Sequence, residues 1–111
     1  MCLGHQAIGE VFGGQLTNLS TVFHGVATEG TQLGNDYLFD GLTERITMGR
    51  YHSWVVDREG WPEALEVTAL SDEGQVMALR HREMDIHGIQ FHPESVLTPD
   101  GRTILENFIS H

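Results

Sequence analysis

Two short stretches hold the side chains best suited to chemistry. Met1-Cys2-Leu3-Gly4-His5-Gln6 places a cysteine where a helical pattern starts, and Gly88-Ile89-Gln90-Phe91-His92-Pro93-Glu94 places a histidine and a carboxylate two residues apart. The first reads as a nucleophile elbow, a cysteine at a sharp strand-to-helix turn, with Gly4 following because a side chain there would collide with the neighbouring strand. At a helix start the unpaired N–H groups and the positive end of the dipole favour a thiolate, and the backbone N–H of Leu3 can point at a developing oxyanion. In the second stretch, residues two apart in an extended strand share a face, so His92 and Glu94 lie side by side, with Pro93 holding the backbone extended and ending the ladder. A carboxylate on one imidazole nitrogen fixes the tautomer and leaves the other nitrogen to face a thiol. Each stretch also has a plainer reading, an inert buried cysteine and a surface histidine beside a solvated carboxylate.

These groups need elements to position them. Ala7, Ile8, Val11 and Phe12 recur at helical spacing and Gly13-Gly14 then stops the pattern, which predicts a short helix beginning just after Cys2. A strand should lead into Cys2, and only Met1 is there to supply it. Residues 15–44 scatter Gly, Thr, Asn and Asp among short apolar pieces, which predicts one strand near Leu16 to Leu19 followed by a long loop. Short β-rich runs follow: Ile46 to Met48, Tyr51 to Val56, Leu65 to Leu70, Val76 to Arg80 and Ile86 to Phe91. Asp72-Glu73-Gly74 reads as the tight turn of a hairpin. Thr98-Pro99-Asp100 opens a last helix as capping residue and first-turn proline, with Ile104, Leu105, Phe108 and Ile109 on the face that should cover a sheet. The order of helices and strands fits an α/β layered domain, and Phe12, Phe91 and Met77 are its candidate core.

Length and charge narrow the function. A chain of 111 residues makes one small domain. Sixteen acidic residues against six arginines give a net charge of −10, which repels nucleic acid and anionic membrane surfaces. No apolar run approaches the roughly 20 residues that span a bilayer, and the reading is a cytoplasmic protein. The lone Cys2 has no partner for an internal disulfide or a Cys-x-x-Cys metal pair. Seven histidines are many for this length, yet none forms a His-x-x-x-His pair, so an acidic zinc-binding module is a minor alternative.

Taken together, Cys2-Leu3-Gly4-His5-Gln6, Gly49-Arg50-Tyr51-His52-Ser53 and Gln90-Phe91-His92-Pro93-Glu94-Ser95 resemble the three signature blocks of the class I (triad) glutamine amidotransferases. Within them, the chain is similar to the glutaminase subunits of anthranilate synthase and of aminodeoxychorismate synthase, in register through Val96-Leu97-Thr98. The resemblance implies the C-terminal part of a three-layer α/β domain with a mixed sheet, spanning residues 1–111. It implies that Cys2 attacks the side-chain carboxamide of glutamine, that His92 shuttles protons and that Glu94 orients His92. Leu3 would donate its backbone N–H to the oxyanion, and Gln6 and Ser53, with the backbone of Trp54, would hold the amino acid portion of the substrate. The implied partner is a chorismate-using synthase subunit of the anthranilate synthase component I type, and no metal or organic cofactor is implied.

Two departures from that pattern carry expectations. Members of the family place an N-terminal half-sheet and a glycine-rich loop, source of a second oxyanion donor, before the elbow, and nothing in this chain corresponds to them. The chain is therefore expected to be a fragment or to start at an internal methionine, with weak activity and marginal stability alone, or to be a non-catalytic remnant that keeps the docking face. At His24-Gly25-Val26, many relatives carry lysine in place of Val26 in a loop that faces the synthase.

Overall fold

The computed structural model describes residues 2–110. Helix α1 spans Cys2–Val11 and ends where predicted: Gly13 adopts a φ of 97°, open to glycine at little cost, while its N–H and that of Gly14 bond back to the carbonyls of Glu10 and Gly9. Strands β1 (Leu16–Asn18), β2 (Val26–Gln32), β3 (Arg45–Arg50), β4 (Trp54–Val56), β5 (Leu65–Ser71), β6 (Val76–His81) and β7 (His87–Ile89) follow, and helix α2 (Gly101–Ser110) closes the chain. No helix is long and apolar enough to cross a membrane among the described residues.

The strands form a five-stranded sheet in the order β3-β2-β5-β6-β7 and a two-stranded ribbon of β1 and β4. With the helices they make the expected α/β fold. The expected mixed sheet is, over the described residues, antiparallel at every pairing. Parallel neighbours need a long crossover between them, usually an α-helix, and here no α-helix separates one strand from the next. The predicted turn at Asp72-Glu73-Gly74 joins β5 to β6, with Gly74 at a φ of 86°.

The segment read as a long loop contains β2, which pairs with β3 from Val26↔Arg50 to Thr31↔Arg45 and with β5 at Gly30↔Ser71 to Gln32↔Ala69. Val-Ala-Thr-Glu-Gly-Thr-Gln has no apolar alternation because most of its side chains are only half-buried or exposed. The ladder on both sides, rather than burial, makes it a strand. Gly30 marks the close approach, since a Cβ there would overlap the end of Met48 and the Leu70 carbonyl.

One core cluster includes Phe39, Met48, Met77, Ile89, Phe91 and Ile104, and a smaller one joins Val56, Leu65 and Leu79 under Ile8 and Phe12. Phe91 and Met77 are thus core as expected, and Phe12 is half-buried beside it. Helix α1 departs from its apolar pattern. Ala7 and Val11 are exposed, and the face it buries consists of His5, Gln6 and Gly9. Gly9 lets the helix lie on β4, where a Cβ would come 2.8 Å from Val56 Cγ2. Helix α2 buries Ile104 but leaves Phe108 and Ile109 exposed, so its apolar face is only partly covered by the described residues. It also starts later than predicted, at Gly101, because the Thr98 hydroxyl is engaged elsewhere.

Candidate active site

Three pieces of backbone meet at one end of the sheet. The first turn of α1 carries Cys2 and Leu3, the connection from β3 to β4 carries Tyr51, His52 and Ser53, and the segment after β7 carries Gln90 to Ser95. Cys2, Leu3, Tyr51, His92, Glu94 and Ser95 line a single open cavity of about 660 Å³.

His92 and Glu94 pair as expected, with Nδ1 2.9 Å from Oε1 and 3.2 Å from Oε2 of the carboxylate. The backbone that brings them together is different from the one predicted. β7 ends at Ile89, and Pro93 and Glu94 lie in a turn, in which the Ser95 N–H bonds to the His92 carbonyl. A turn places i and i+2 side chains together here because the backbone of His92 is held at both ends. Its N–H donates to Gly49 O at 2.9 Å, and its carbonyl accepts from the Thr98 hydroxyl at 2.8 Å. That hydroxyl in turn accepts from Gly49 N–H at 2.8 Å, so one buried threonine fastens the histidine segment to β3 instead of capping α2. With Nδ1 turned to a carboxylate, the imidazole proton sits there and Nε2 is left to act as base. The Tyr51 ring packs edge-on against His92, centroids 4.9 Å apart, and its hydroxyl shares a hydrogen bond of 3.0 Å with Ser95.

Cys2 is the first residue of α1, on the wall of the same cavity. Among the described residues its sulfur has hydrogen bonds to the Tyr51 carbonyl at 4.0 Å and from Gln90 Nε2 at 3.3 Å, and neither is to His92. Burial pushes the thiol up from its ordinary value, and the hydrogen bond from the Gln90 amide pulls it back in part. Gly4 also departs from expectation. A Cβ there would meet nothing within 4 Å, because no strand of the described residues runs alongside it. The strand expected to lead into Cys2 falls on Met1, outside the described residues.

The four residues assigned to the substrate fall in two places. Leu3 is on the cavity wall, 78 % exposed. Gln6, Ser53 and Trp54 are not among the residues that line it: Gln6 is buried and donates to the Trp54 carbonyl at 3.0 Å, and the Ser53 carbonyl accepts from Leu19 N–H at 2.6 Å. The supporting histidines are held neutral. His5 is fully buried against Gly88, where a Cβ would come 2.9 Å from Nδ1, and burial pushes its pKa down to about 3. His52 is pushed down to about 4 by burial and by the charge of Arg50. Its Nδ1 lies 3.1 Å from the Trp54 carbonyl, which can only accept, so Nδ1 carries the proton and Nε2 accepts from Arg50 Nε at 3.0 Å. Arg50 is itself fully buried, its guanidinium 3.6 Å above the Phe23 ring and paired with Glu73 at 3.0 Å.

Sequence reasoning quoted Tyr51, Gln90 and Ser95 within the signature blocks without assigning them a role, and read Thr98 only as a helix cap. Gln90 left a signal, a polar residue between the apolar Ile89 and Phe91 and two positions before the histidine. Tyr51 and Ser95 sit inside recognisable blocks but carry no local mark of their meeting. Among the described residues no three His, Cys, Asp or Glu side chains are grouped to hold a metal, so the zinc reading finds no donor set there.

The chain is 44% identical over 110 residues to aminodeoxychorismate synthase component 2 of Klebsiella aerogenes, covering 99% of this chain and 58% of that protein. It is 46% identical over 110 residues to anthranilate synthase component 2 of Azospirillum brasilense, covering 99% of this chain and 56% of that protein. It thus spans little more than half the length of these curated relatives. A crystal structure from Thermoplasma acidophilum, described as a subunit of GMP synthase, superposes with a TM-score of 0.88 at 30% identity, covering 98% of this chain and 53% of the other. The profile of the family Glutamine amidotransferase class-I matches residues 1–111, and the chain belongs to that family.

Proposed function

We propose that this chain carries the glutaminase chemistry of a two-component amidotransferase. Cys2 Sγ attacks the side-chain carbon of glutamine, and the oxyanion forms within reach of the Leu3 N–H. His92, holding the thiol proton on Nε2, passes it to the leaving nitrogen, which departs as ammonia and leaves a γ-glutamyl thioester on sulfur. Water then gives a proton to His92 and displaces the thiolate, so that glutamine and water become glutamate and ammonia. Glu94 holds the imidazole in the tautomer this needs, a form of acid–base help typically worth ~10²–10⁴ in rate. Gln6, Ser53 and the Trp54 backbone hold the amino acid portion of the substrate, and no metal or organic cofactor takes part.

The observation that carries this reading is the convergence of Cys2, His92 and Glu94 on one cavity from opposite ends of the chain. The thiol has to swing from Gln90 and Tyr51 toward the imidazole when substrate enters, a tightening common in catalytic hydrogen bonds. The rim of the cavity supports a partner. Leu3 and Val96 are 78 % and 96 % exposed there or close by in sequence, apolar surface that a second subunit would cover. Ammonia must be handed over before bulk water protonates it, and a chorismate-using synthase of the anthranilate synthase component I type is the partner we assign. Anthranilate synthesis is preferred to aminodeoxychorismate synthesis, both names occurring among the relatives. A cytoplasmic location accompanies this role.

A second reading, a docking remnant without catalysis, draws on the absence of a thiol–imidazole hydrogen bond. The test is glutaminase turnover with the synthase present. Cys2→Ser is expected to abolish glutamine-dependent ammonia release while added ammonia still supports the synthase. Retained turnover in Cys2→Ser overturns the nucleophile, and absence of turnover in the unsubstituted protein favours the remnant.

A further inference from the structure

Next to the cavity, the side-chain amide of Gln6 meets a second one, that of Gln90, which the proposed chemistry does not use. Gln90 is fully buried, its backbone N–H bonded to Met77 O at 2.7 Å. Its side chain reaches Cys2 Sγ at 3.3 Å with one end and Gln6 Nε2 at 3.4 Å with the other. The polarity of this amide pair follows from its far end. The Trp54 carbonyl can only accept, so Gln6 must present its NH₂ to it, at 3.0 Å. The same nitrogen faces Gln90, which must therefore answer with Oε1. That leaves the Gln90 NH₂ on the sulfur.

We propose that Gln90 is a positioning residue that donates a hydrogen bond to the Cys2 sulfur, and that Gln6, by donating to Gln90, strengthens that bond and links the thiolate to the site holding the substrate's amino acid end. This rests on Cys2 being the nucleophile, as proposed above. The chemistry favours the charged form of the thiol. An N–H donor gains more from a thiolate than from a thiol, and here it is delivered where burial has removed the competing water. Amides joined head to tail polarise one another, so the Gln6 bond makes Gln90 the better donor. A substrate that draws the Gln6 amide toward itself weakens the Gln90 donor and frees the sulfur to turn to His92. Among the described residues, the ionisable groups that share the cavity wall with Cys2 are His92, Glu94 and Tyr51, and those on the neighbouring segments are His5 on α1, Arg50 at the end of β3 and His52 in the β3–β4 connection. None of them is altered by changing Gln90.

The experiment is alkylation of the intact chain by iodoacetamide as a function of pH. Cys2 is the single cysteine, so the rate reports on it alone. Gln90→Met keeps the volume and removes the donor. It is expected to slow alkylation about ten-fold near neutral pH by moving the midpoint upward, with the high-pH limiting rate unchanged. Gln6→Met is expected to give a shift in the same direction of about two- to three-fold. A loosened cavity would change the limiting rate instead of the midpoint. If Gln90→Met does not fold, the unsubstituted protein supplies the readout: the Gln90 side-chain NH₂ resonances should move with the ionisation of Cys2 at the same midpoint. A folded Gln90→Met with an unshifted midpoint, or amide resonances indifferent to the thiol, overturns the proposal. Alkylation needs no glutamine, so a failed relay with Cys2-dependent turnover, and an intact relay without turnover, separate this inference from the glutaminase reading.

Discussion

The two walls of the cavity are built to different standards. On the His92 wall the backbone is fastened on both sides, by Gly49 O and by the Thr98 hydroxyl, and the imidazole is held by Glu94. On the Cys2 wall the thiol has a long contact to a carbonyl and one amide donor, and the neighbouring Leu3 stands open to solvent. The contrast separates two requirements. In the proposed chemistry, the base must keep one nitrogen on its carboxylate and aim the other at the reacting atoms, which fits a geometry over-determined by the fold. The proposed nucleophile has to move between a resting partner and the substrate, so a single weak donor suits it better than a cage.

The strongest way to break this contrast is to push on the tight wall. A Cβ at Gly101 would overlap the Pro93 carbonyl, and neither backbone has room to move without carrying the His92 segment along. Gly101→Ala is expected to destabilise by about 3 kcal/mol or more, the upper part of the overpacking range, and to lose the His92–Glu94 pair with it. Urea unfolding and the histidine resonances of the variant check both. A wild-type midpoint would show that the wall is softer than it looks.

Thr98→Val is milder, since it keeps the shape and removes one hydroxyl. It strands the Gly49 N–H and removes a donor from the His92 carbonyl, and about 1–3 kcal/mol of stability should go. The same variant should lower kcat more than it raises KM, because the base is displaced while the cavity persists. Equal stability by urea titration would dissolve the clamp.

The buried histidines behind the site sharpen the comparison by pH. His5 and His52 are held neutral in the fold, at about 3 and about 4, below the ordinary histidine value of 6.5. In acid the unfolded chain therefore binds more protons than the folded one, and stability declines as pH falls. Their contribution is complete above about pH 6.5 and is lost progressively toward about pH 4 and below. The melting temperature is expected to drop by about 5 °C or more between pH 7.5 and 4.5, and His52→Gln should flatten part of that slope. A melting temperature independent of pH over that span would contradict the neutral assignment.

How much of this could be read beforehand depended on distance along the chain. The i, i+2 pairing of His92 and Glu94 was legible although the backbone producing it was not, because a turn and a strand can both bring such neighbours together. The helix at Cys2 and its glycine stop were legible from spacing. Its buried face was not: periodicity marks apolar residues, whereas α1 buries His5, Gln6 and Gly9 because it lies so close to β4 and β7. β2 was invisible for a related reason, a strand held by hydrogen bonds on both edges with little apolar burial to announce it. The role expected of Gly4 has no counterpart here, because it was assigned to a neighbour that the described residues do not contain.

The amino-acid sequence by itself determined the reactive types, their order and the family to which they belong, since these are properties of short, contiguous blocks. Tertiary structure alone decided that Gln90 would meet Cys2 across 88 positions and that Thr98 would hold His92 to β3. Local patterns report which faces want burial, but contacts between distant residues are set by strand register and by the volume left between packed elements, and neither is written in any one segment.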